Sequence, residues 1–196
     1  MSKNWTFALL KPDAVANPIS LGWLLDALNK NGLIIEMGCR LNLSIAQASE
    51  LYSFHKNSFY FNRSINHLCS GPVVAMKLIL NEDEQNLYSK DEALKRWRRL
   101  LGPSKFGKMY LAQVGDLDEM TKMENFRQLF GLSDSRNFGH GSSSLEELEK
   151  EYSIFEKYMK KIEDPYSELF KLDKYMLIEN DKEKENNFQK FLNFFK

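Results

Sequence analysis

The chain has 196 residues, 43% of them hydrophobic and 13% aromatic, enough for one domain with a packed core and an appendage. Its 27 Lys and Arg balance 27 Asp and Glu, which argues against non-specific binding of nucleic acid or of an anionic membrane as its main work, though not against a local basic pocket. Cys39 and Cys69 are in no metal-ligand spacing, so free thiols are expected. The N-terminal MSKNWTFALLKPDAV has no long apolar run and no basic amphipathic presequence, so the default expectation is a cytoplasmic protein without a membrane span.

Trp5 to Lys11 reads as a buried strand stopped by Pro12. Leu21, Leu24, Leu25 and Leu28 follow at helical spacing, ended by Asn31-Gly32. A second strand runs from Leu33 towards Leu43, with Gly38 as the expected bulge. Ser44 caps a helix over Ile45 to Phe54, and Phe59 to Leu68 forms another. Ser70-Gly71-Pro72 punctuates before a third strand, Val73 to Leu80. Glu82 to Leu101 is helical in one or two segments, stopped by Gly102-Pro103, and Leu94, Trp97 and Leu101 form its core stripe. Lys95, Arg96, Arg98 and Arg99 surround Trp97 as a mostly solvated face.

An irregular stretch, Ser104 to Met120, precedes a short helix around Met123 to Phe130. Leu145, Leu148, Tyr152 and Phe155 share one face of a later helix. Asp164-Pro165 starts a helix expected to reach Met176, Asp181 to Asn187 is a polar linker, and Phe188, Phe191, Leu192 and Phe195 form an apolar stripe. That stripe could pack on its own domain, on a subunit or partner, or on a membrane. The interleaving of strands and helices suits an α+β sandwich. Two parts are expected: residues 1–158 as the main domain and 159–196 as a helical C-terminal extension.

The chemistry concentrates in Arg136-Asn137-Phe138-Gly139-His140-Gly141-Ser142-Ser143-Ser144. A histidine between two glycines has an open backbone that a large substrate could approach. Ser143 and Glu146 have capping-box spacing, so a helix start, with its unpaired amides, is expected to attract phosphate here. An imidazole at an anion site can be a nucleophile, a base or a phosphate donor. Glu151, two turns down that helix, is in reach of one ring nitrogen and would fix the tautomer.

Read together, TFALLKPDAV, SGPVVAMKL and RNFGHGSSS resemble the nucleoside diphosphate kinase family over residues 5 to 156. LKPDAVANP, RRLLGPSK and FGLSDSRN are most similar to its divergent 6-type branch. The resemblance implies a ferredoxin-like α+β sandwich with a four-stranded antiparallel sheet. It implies ping-pong transfer of a terminal phosphate between nucleoside tri- and diphosphates through phosphorylated His140. Glu151 would orient the histidine, with Ser142 the adjacent hydroxyl. Lys11 would sit near the sugar hydroxyl and terminal phosphate, Asn137 on that hydroxyl, and Tyr52 beside the histidine. Arg98, Ser104, Arg127 and His55 would hold phosphate, and Tyr60 would stack on the base. Mg²⁺ is expected on the nucleotide phosphates and water, not in a protein cage.

Four departures from the family pattern stand out. Ser64 and Asp134 replace apolar residues beside the base, Ser143 replaces the aspartate after the histidine-glycine-serine run, and the segment from Ser104 to Phe126 is long. That segment and the tail leave a homo-oligomer open. They also motivate an alternative: a nucleotide-binding assembly or regulatory protein with weak turnover. A nucleic-acid binder is disfavoured by the neutral charge and the absence of an aromatic RNA-binding signature.

Overall fold

The computed structural model of the chain describes residues 4–85, 87–105 and 125–171. Most of the long segment before Phe126, the remainder of the helix expected to reach Met176, the polar linker and the Phe188 to Phe195 stripe lie outside the described residues.

Strand β1 (Trp5–Leu10) gives way to helix α1 (Pro12–Val15), because Pro12 has no N–H for a ladder but fits a first helical turn. Helix α2 (Pro18–Lys30) starts the same way behind Asn17, whose side chain accepts from Ser20 N. Then come strand β2 (Leu33–Asn42), helices α3 (Ile45–Leu51) and α4 (Phe61–Leu68), and strand β3 (Pro72–Leu80). A reciprocal Ser44–Gln47 capping box starts α3, which ends three residues before the expected Phe54; Ser53–His55 is a separate 3₁₀ turn. Helix α5 (Glu92–Leu101) stops at Gly102, whose φ of +77° suits glycine. Helix α6 (Phe126–Phe130), strand β4 (Gly139–Gly141), helix α7 (Leu145–Phe155) and strand β5 (Lys160–Lys161) complete the described elements.

The strand order is β4-β1-β3-β2-β5, and every neighbouring pair is antiparallel. Alternate residues of the central strands serve two cores. Ala8, Leu10, Val74, Met76 and Leu78 meet Leu21, Leu24 and Leu28 of α2 and Trp97 and Leu101 of α5. Phe7, Leu9, Val73 and Ala75 share the other core with Leu51, Ile65 and Leu68 and with Leu148 and Phe155 of α7. Burial on both faces explains why β1 and β3 read as nearly unbroken apolar runs. Each fully buried Phe or Leu there stabilises the fold by about 1.5–3 kcal/mol. Among the described residues no helix is long and apolar enough to cross a membrane.

The ferredoxin-like α+β class holds, with five strands where four were expected. The fifth, Lys160–Lys161, pairs with Met37 and Gly38 on the outer edge of β2. Two lysines carry no strand pattern of their own; the β2 edge imposes their conformation. The β2 irregularity falls between Ile35 and Met37, not at Gly38. Gly38 is small for a different reason: a Cβ there would stand 2.8 Å from a methyl of Leu169. Downstream of Pro165 a single wide turn, Tyr166–Phe170, replaces the start of the expected long helix and ends at Lys171, φ 53°. Its Leu169 and Phe170 are buried in the main core, so this described part of the segment read as an extension packs on the sheet. Cys39 and Cys69 are free thiols.

Candidate active site

The short strand β4 places His140 opposite Leu9 of β1. Its Nε2 lies 2.7 Å from Glu151 Oε1, and Ser142 Oγ donates to Glu151 Oε2 at 2.6 Å. Ser142 and Glu151 are buried behind the ring at 0% and 3% exposure. A carboxylate only accepts, so in the neutral ring the proton sits on Nε2 and the Nδ1 lone pair is the one left free. Helix α7 presents Glu151 from its second turn. Its cap is Ser144, which accepts from Glu147 N, so the helix starts one residue later than Ser143–Glu146 spacing suggested.

The flanking glycines do not open the backbone; they let it pack. A Cβ on Gly139 would stand 2.8 Å from Leu9 O, and one on Gly141 would stand 2.7 Å from the Trp97 indole. Trp97 Nε1 also donates to His140 O at 3.1 Å. The core stripe of α5 therefore sets the height of the histidine strand.

Lys11 is buried at the end of β1. Its Nζ donates to Asn137 Oδ1 at 2.6 Å and to Ser135 O at 3.1 Å. Burial, and then the neighbouring Arg127 guanidinium, lower its pKa from 10.5 to about 7, against a smaller opposite pull from Asp13. Asn137 Nδ2 in turn donates to Asp134 O at 2.9 Å and to Ser104 O at 3.3 Å. Phe138, at φ 77°, sits in a tight turn closed by Gly139 N donating to Asn137 O at 2.9 Å. A residue with a Cβ held in such a turn costs about 1–3 kcal/mol.

These groups line a cleft of about 1190 Å³. Its lining includes Lys11, Asn137 and His140, the rings of Tyr52, His55 and Tyr60, the phosphate-site candidates Arg98, Ser104 and Arg127, and Ser64 and Asp134. Tyr52 and His140 have ring centroids 5.5 Å apart, and Tyr60 Oη lies 3.2 Å from His55 Nδ1. Burial raises the Tyr52 pKa, so the phenol stays protonated. Arg127 is partly buried, donating to Gly102 O at 2.6 Å and Gly139 O at 2.8 Å. Burial foremost, with Arg98 adding, lowers its pKa to about 10, and Tyr52 opposes this. Its Nε is buried with no hydrogen-bond partner among the described residues. Arg98 donates to Ser142 O at 3.1 Å.

The structure thus brings every residue singled out in the sequence to the cleft or, for Ser142 and Glu151, directly behind it. Sequence reasoning missed Phe59 and Lys105 on the lining and Glu147 beside Ser143. Ser143 N donates to Glu147 Oε2 at 2.5 Å and its hydroxyl bonds the same oxygen. Burial pushes the Glu147 pKa up, yet these bonds hold it below the ordinary value. A carboxylate one turn into α7 therefore stands near the place where Ser143 lacks one. Away from the cleft, His67 Nε2 lies 2.7 Å from Asp13 Oδ1.

Residues 4–160 match the family model described as nucleoside diphosphate kinase. The nucleoside diphosphate kinase homolog 7 of Rattus norvegicus is 31% identical over 153 residues, which cover 78% of this chain and 33% of that protein. The chain therefore spans only about a third of the length of that relative. Nucleoside diphosphate kinase 6 of Danio rerio is 31% identical over 76% of this chain and 74% of its own length. The nucleoside diphosphate kinase of Nitratiruptor sp. is 33% identical over 76% and 93% respectively. Among solved structures, the Aquifex aeolicus nucleoside diphosphate kinase superposes with a TM-score of 0.61 at 27% identity, covering 79% of this chain and 95% of that one. The Halobacterium salinarum nucleoside diphosphate kinase, solved in complex with CDP, shares the fold with a TM-score of 0.62 at 22% identity over 86% and 99%.

Proposed function

The chain belongs to the nucleoside diphosphate kinase family, on its 6-type branch, and from that premise we propose that it passes the terminal phosphate of nucleoside triphosphates to nucleoside diphosphates through phosphorylated His140. One observation carries this reading: an imidazole clamped at Nε2 by Glu151, leaving Nδ1 for a ligand in a cleft lined by Lys11, Arg98 and Arg127.

In the first half-reaction the Nδ1 lone pair attacks the terminal phosphorus. The N–P bond forms, the bridging P–O bond breaks, and the diphosphate leaves with that oxygen. In the second, a terminal oxygen of another diphosphate attacks the same phosphorus and the N–P electron pair returns to the ring. Such transfer needs alignment and neutralised phosphate oxygens more than covalent help. Lys11, Arg98, Arg127 and the Ser104 hydroxyl suit that work, and the unpartnered Arg127 Nε is a donor that a phosphate oxygen would satisfy. Asn137 and Lys11 suit the sugar hydroxyl. Tyr60 offers a ring to any base, and stacking tolerates all of them.

Magnesium enters this proposal with the substrate. Among the described residues no group of three or more His, Cys, Asp or Glu side chains could hold an ion, and the cleft's fixed groups are largely cationic. The residues present fit an ion carried by the nucleotide phosphates and water, where it would neutralise charge. Homo-oligomer formation and a cytoplasmic location remain part of the proposal.

The test is incubation with Mg²⁺ and terminally labelled ATP. The expected result is acid-labile label on the wild type, none on His140→Ala, and discharge by added nucleoside diphosphate. Label that persists in His140→Ala would sink the mechanism. Nucleotide binding without any labelling would favour the alternative, a nucleotide-binding assembly or regulatory protein.

A further inference from the structure

We propose that Asp13 and His67 are a positioning pair that holds the strained turn between Asn137 and His140 in place for phosphoryl transfer; the proposal rests on the phosphohistidine reading above.

The turn needs an external clamp. Phe138 at φ 77° lies where a residue with a Cβ rarely goes. Its ring is fully buried and stacked on Phe126 at 4.6 Å, which fixes the side chain but not the peptide groups. Those are tied by the segment after β1: Lys11 N donates to Phe138 O at 2.9 Å, and Phe138 N donates to Asp13 Oδ2 at 2.9 Å. A carboxylate is suited to the second task because it only accepts. Its other oxygen, Oδ1, is held by His67 Nε2 at 2.7 Å. The His67 and Asp13 side chains are 9% and 10% exposed, so water competes little for the bond.

The pair therefore ties α4 to the turn. Neither side chain lines the cleft, so neither touches a ligand there. Their influence passes through backbone. One residue before Phe138, Asn137 Oδ1 accepts from Lys11 Nζ; two residues after it stands His140. A turn that relaxes shifts both groups relative to Tyr60 and Arg98, which hang from other elements. Displacement of a reacting group by a fraction of an ångström slows transfer while leaving most binding contacts intact.

The test compares wild type, His67→Leu and His67→Gln, counting sites by nucleotide binding. In His67→Leu the labelling rate per binding-competent site should fall about tenfold, with nucleotide Kd changed by less than about twofold. His67→Gln, whose side-chain amide can donate to Asp13, should recover most of that rate. A merely structural His67 would lower the melting temperature and the number of competent sites but not the rate per site. Amide hydrogen exchange reads the clamp without turnover: Phe138 N–H should exchange at least about tenfold faster in His67→Leu, with β1 and β3 amides unchanged. An unaltered rate per site, a Gln variant as slow as the Leu variant, or an unaltered Phe138 amide overturns the proposal. Should His67→Leu not fold, Asp13→Ala, which leaves Phe138 N without its acceptor, is read the same way. Absence of label on the wild type would refute the phosphohistidine reading alone, because exchange at Phe138 still judges the clamp.

Discussion

Glu151 holds His140 by one carboxylate oxygen, at 2.7 Å from Nε2, while its other oxygen takes the Ser142 hydroxyl at 2.6 Å. The second bond matters as much as the first, because it fixes the carboxylate plane and so the plane of the ring. Glu151→Ala frees the ring to rotate and to carry its proton on Nδ1, which removes the nucleophilic lone pair. Labelling of His140 should fall about a hundredfold or more. Glu151→Gln keeps an acceptor oxygen for Nε2–H and can turn its amide towards Ser142 Oγ, so its loss should be smaller. Single-turnover labelling of the two variants checks the order; equal rates in wild type and Glu151→Ala would refute the orienting role.

Lys11, with its pKa lowered to about 7, makes nucleotide binding proton-linked. A phosphate beside the ammonium favours the charged form and draws in a proton. At pH 8 the free site is mostly neutral, so binding should take up about 0.9 proton, falling to about 0.1 at pH 6. Calorimetry in two buffers of different ionisation enthalpy measures this, with Lys11→Gln as the control; no uptake at pH 8 in the wild type would exclude the linkage. The same group affects stability. Between pH 7 and 10.5 the unfolded chain binds this proton and the folded chain does not, so the Lys11 contribution to stability rises with pH across that window. Below about pH 7 both states are protonated and its penalty is fully present.

What could be read beforehand follows from how local its cause is. The apolar run Trp5–Leu10 and the Leu94–Trp97–Leu101 stripe are written in single segments, and the structure has both. Glu151 could be placed near His140 because helical spacing sets its distance from Ser144. Strand β5 could not be read, since Lys160–Lys161 has no pattern and is ordered by the β2 edge far away in sequence. The turn at Phe138 was hidden as well. Its neighbour Gly139 would take positive φ at least cost, yet burial of the Phe138 ring and the Asp13 contact accompany positive φ at Phe138. Asp13 and His67 meet only through the fold, and Glu147 reaches Ser143 through a one-turn step that the motif alone does not show.

Tyr60 should contribute to binding rather than to chemistry. It is half-buried on the cleft wall, 3.2 Å from His55 Nδ1 through its hydroxyl. Tyr60→Ala removes a stacking face worth about 1–3 kcal/mol, so KM should rise about 5- to 160-fold with kcat little changed. Tyr60→Phe should stay near wild type. Steady-state kinetics with two nucleotides of different base decides it, and a fall in kcat at unchanged KM would refute the stacking assignment.

Gly141→Ala tests whether the glycines pack or merely open the site. The new Cβ would stand 2.7 Å from the Trp97 ring, which is fully buried and bonded to His140 O. The ring has nowhere to go, so β4 must shift. We expect a loss of about 1–3 kcal/mol in denaturant unfolding and a labelling rate more than about tenfold lower. Wild-type stability and rate together would show that the strand has slack there.

Leu169 joins the C-terminal segment to the sheet. It is 1% exposed and lies against Gly38, while Arg40 Nη1 donates to Leu169 O and Phe170 O, each at 3.2 Å. Just upstream, β5 pairs along the outer edge of β2, which would otherwise offer unpaired backbone groups to another chain. Leu169→Ala should cost about 2–5 kcal/mol. Leu169→Glu places a charge in the same pocket and should lift the segment away. The exposed edge then becomes available for strand pairing, and sedimentation should show a larger species at concentrations where the wild type is unchanged. If Leu169→Glu lost stability but sedimented like the wild type, the segment would be a packing element without a role as an edge cover.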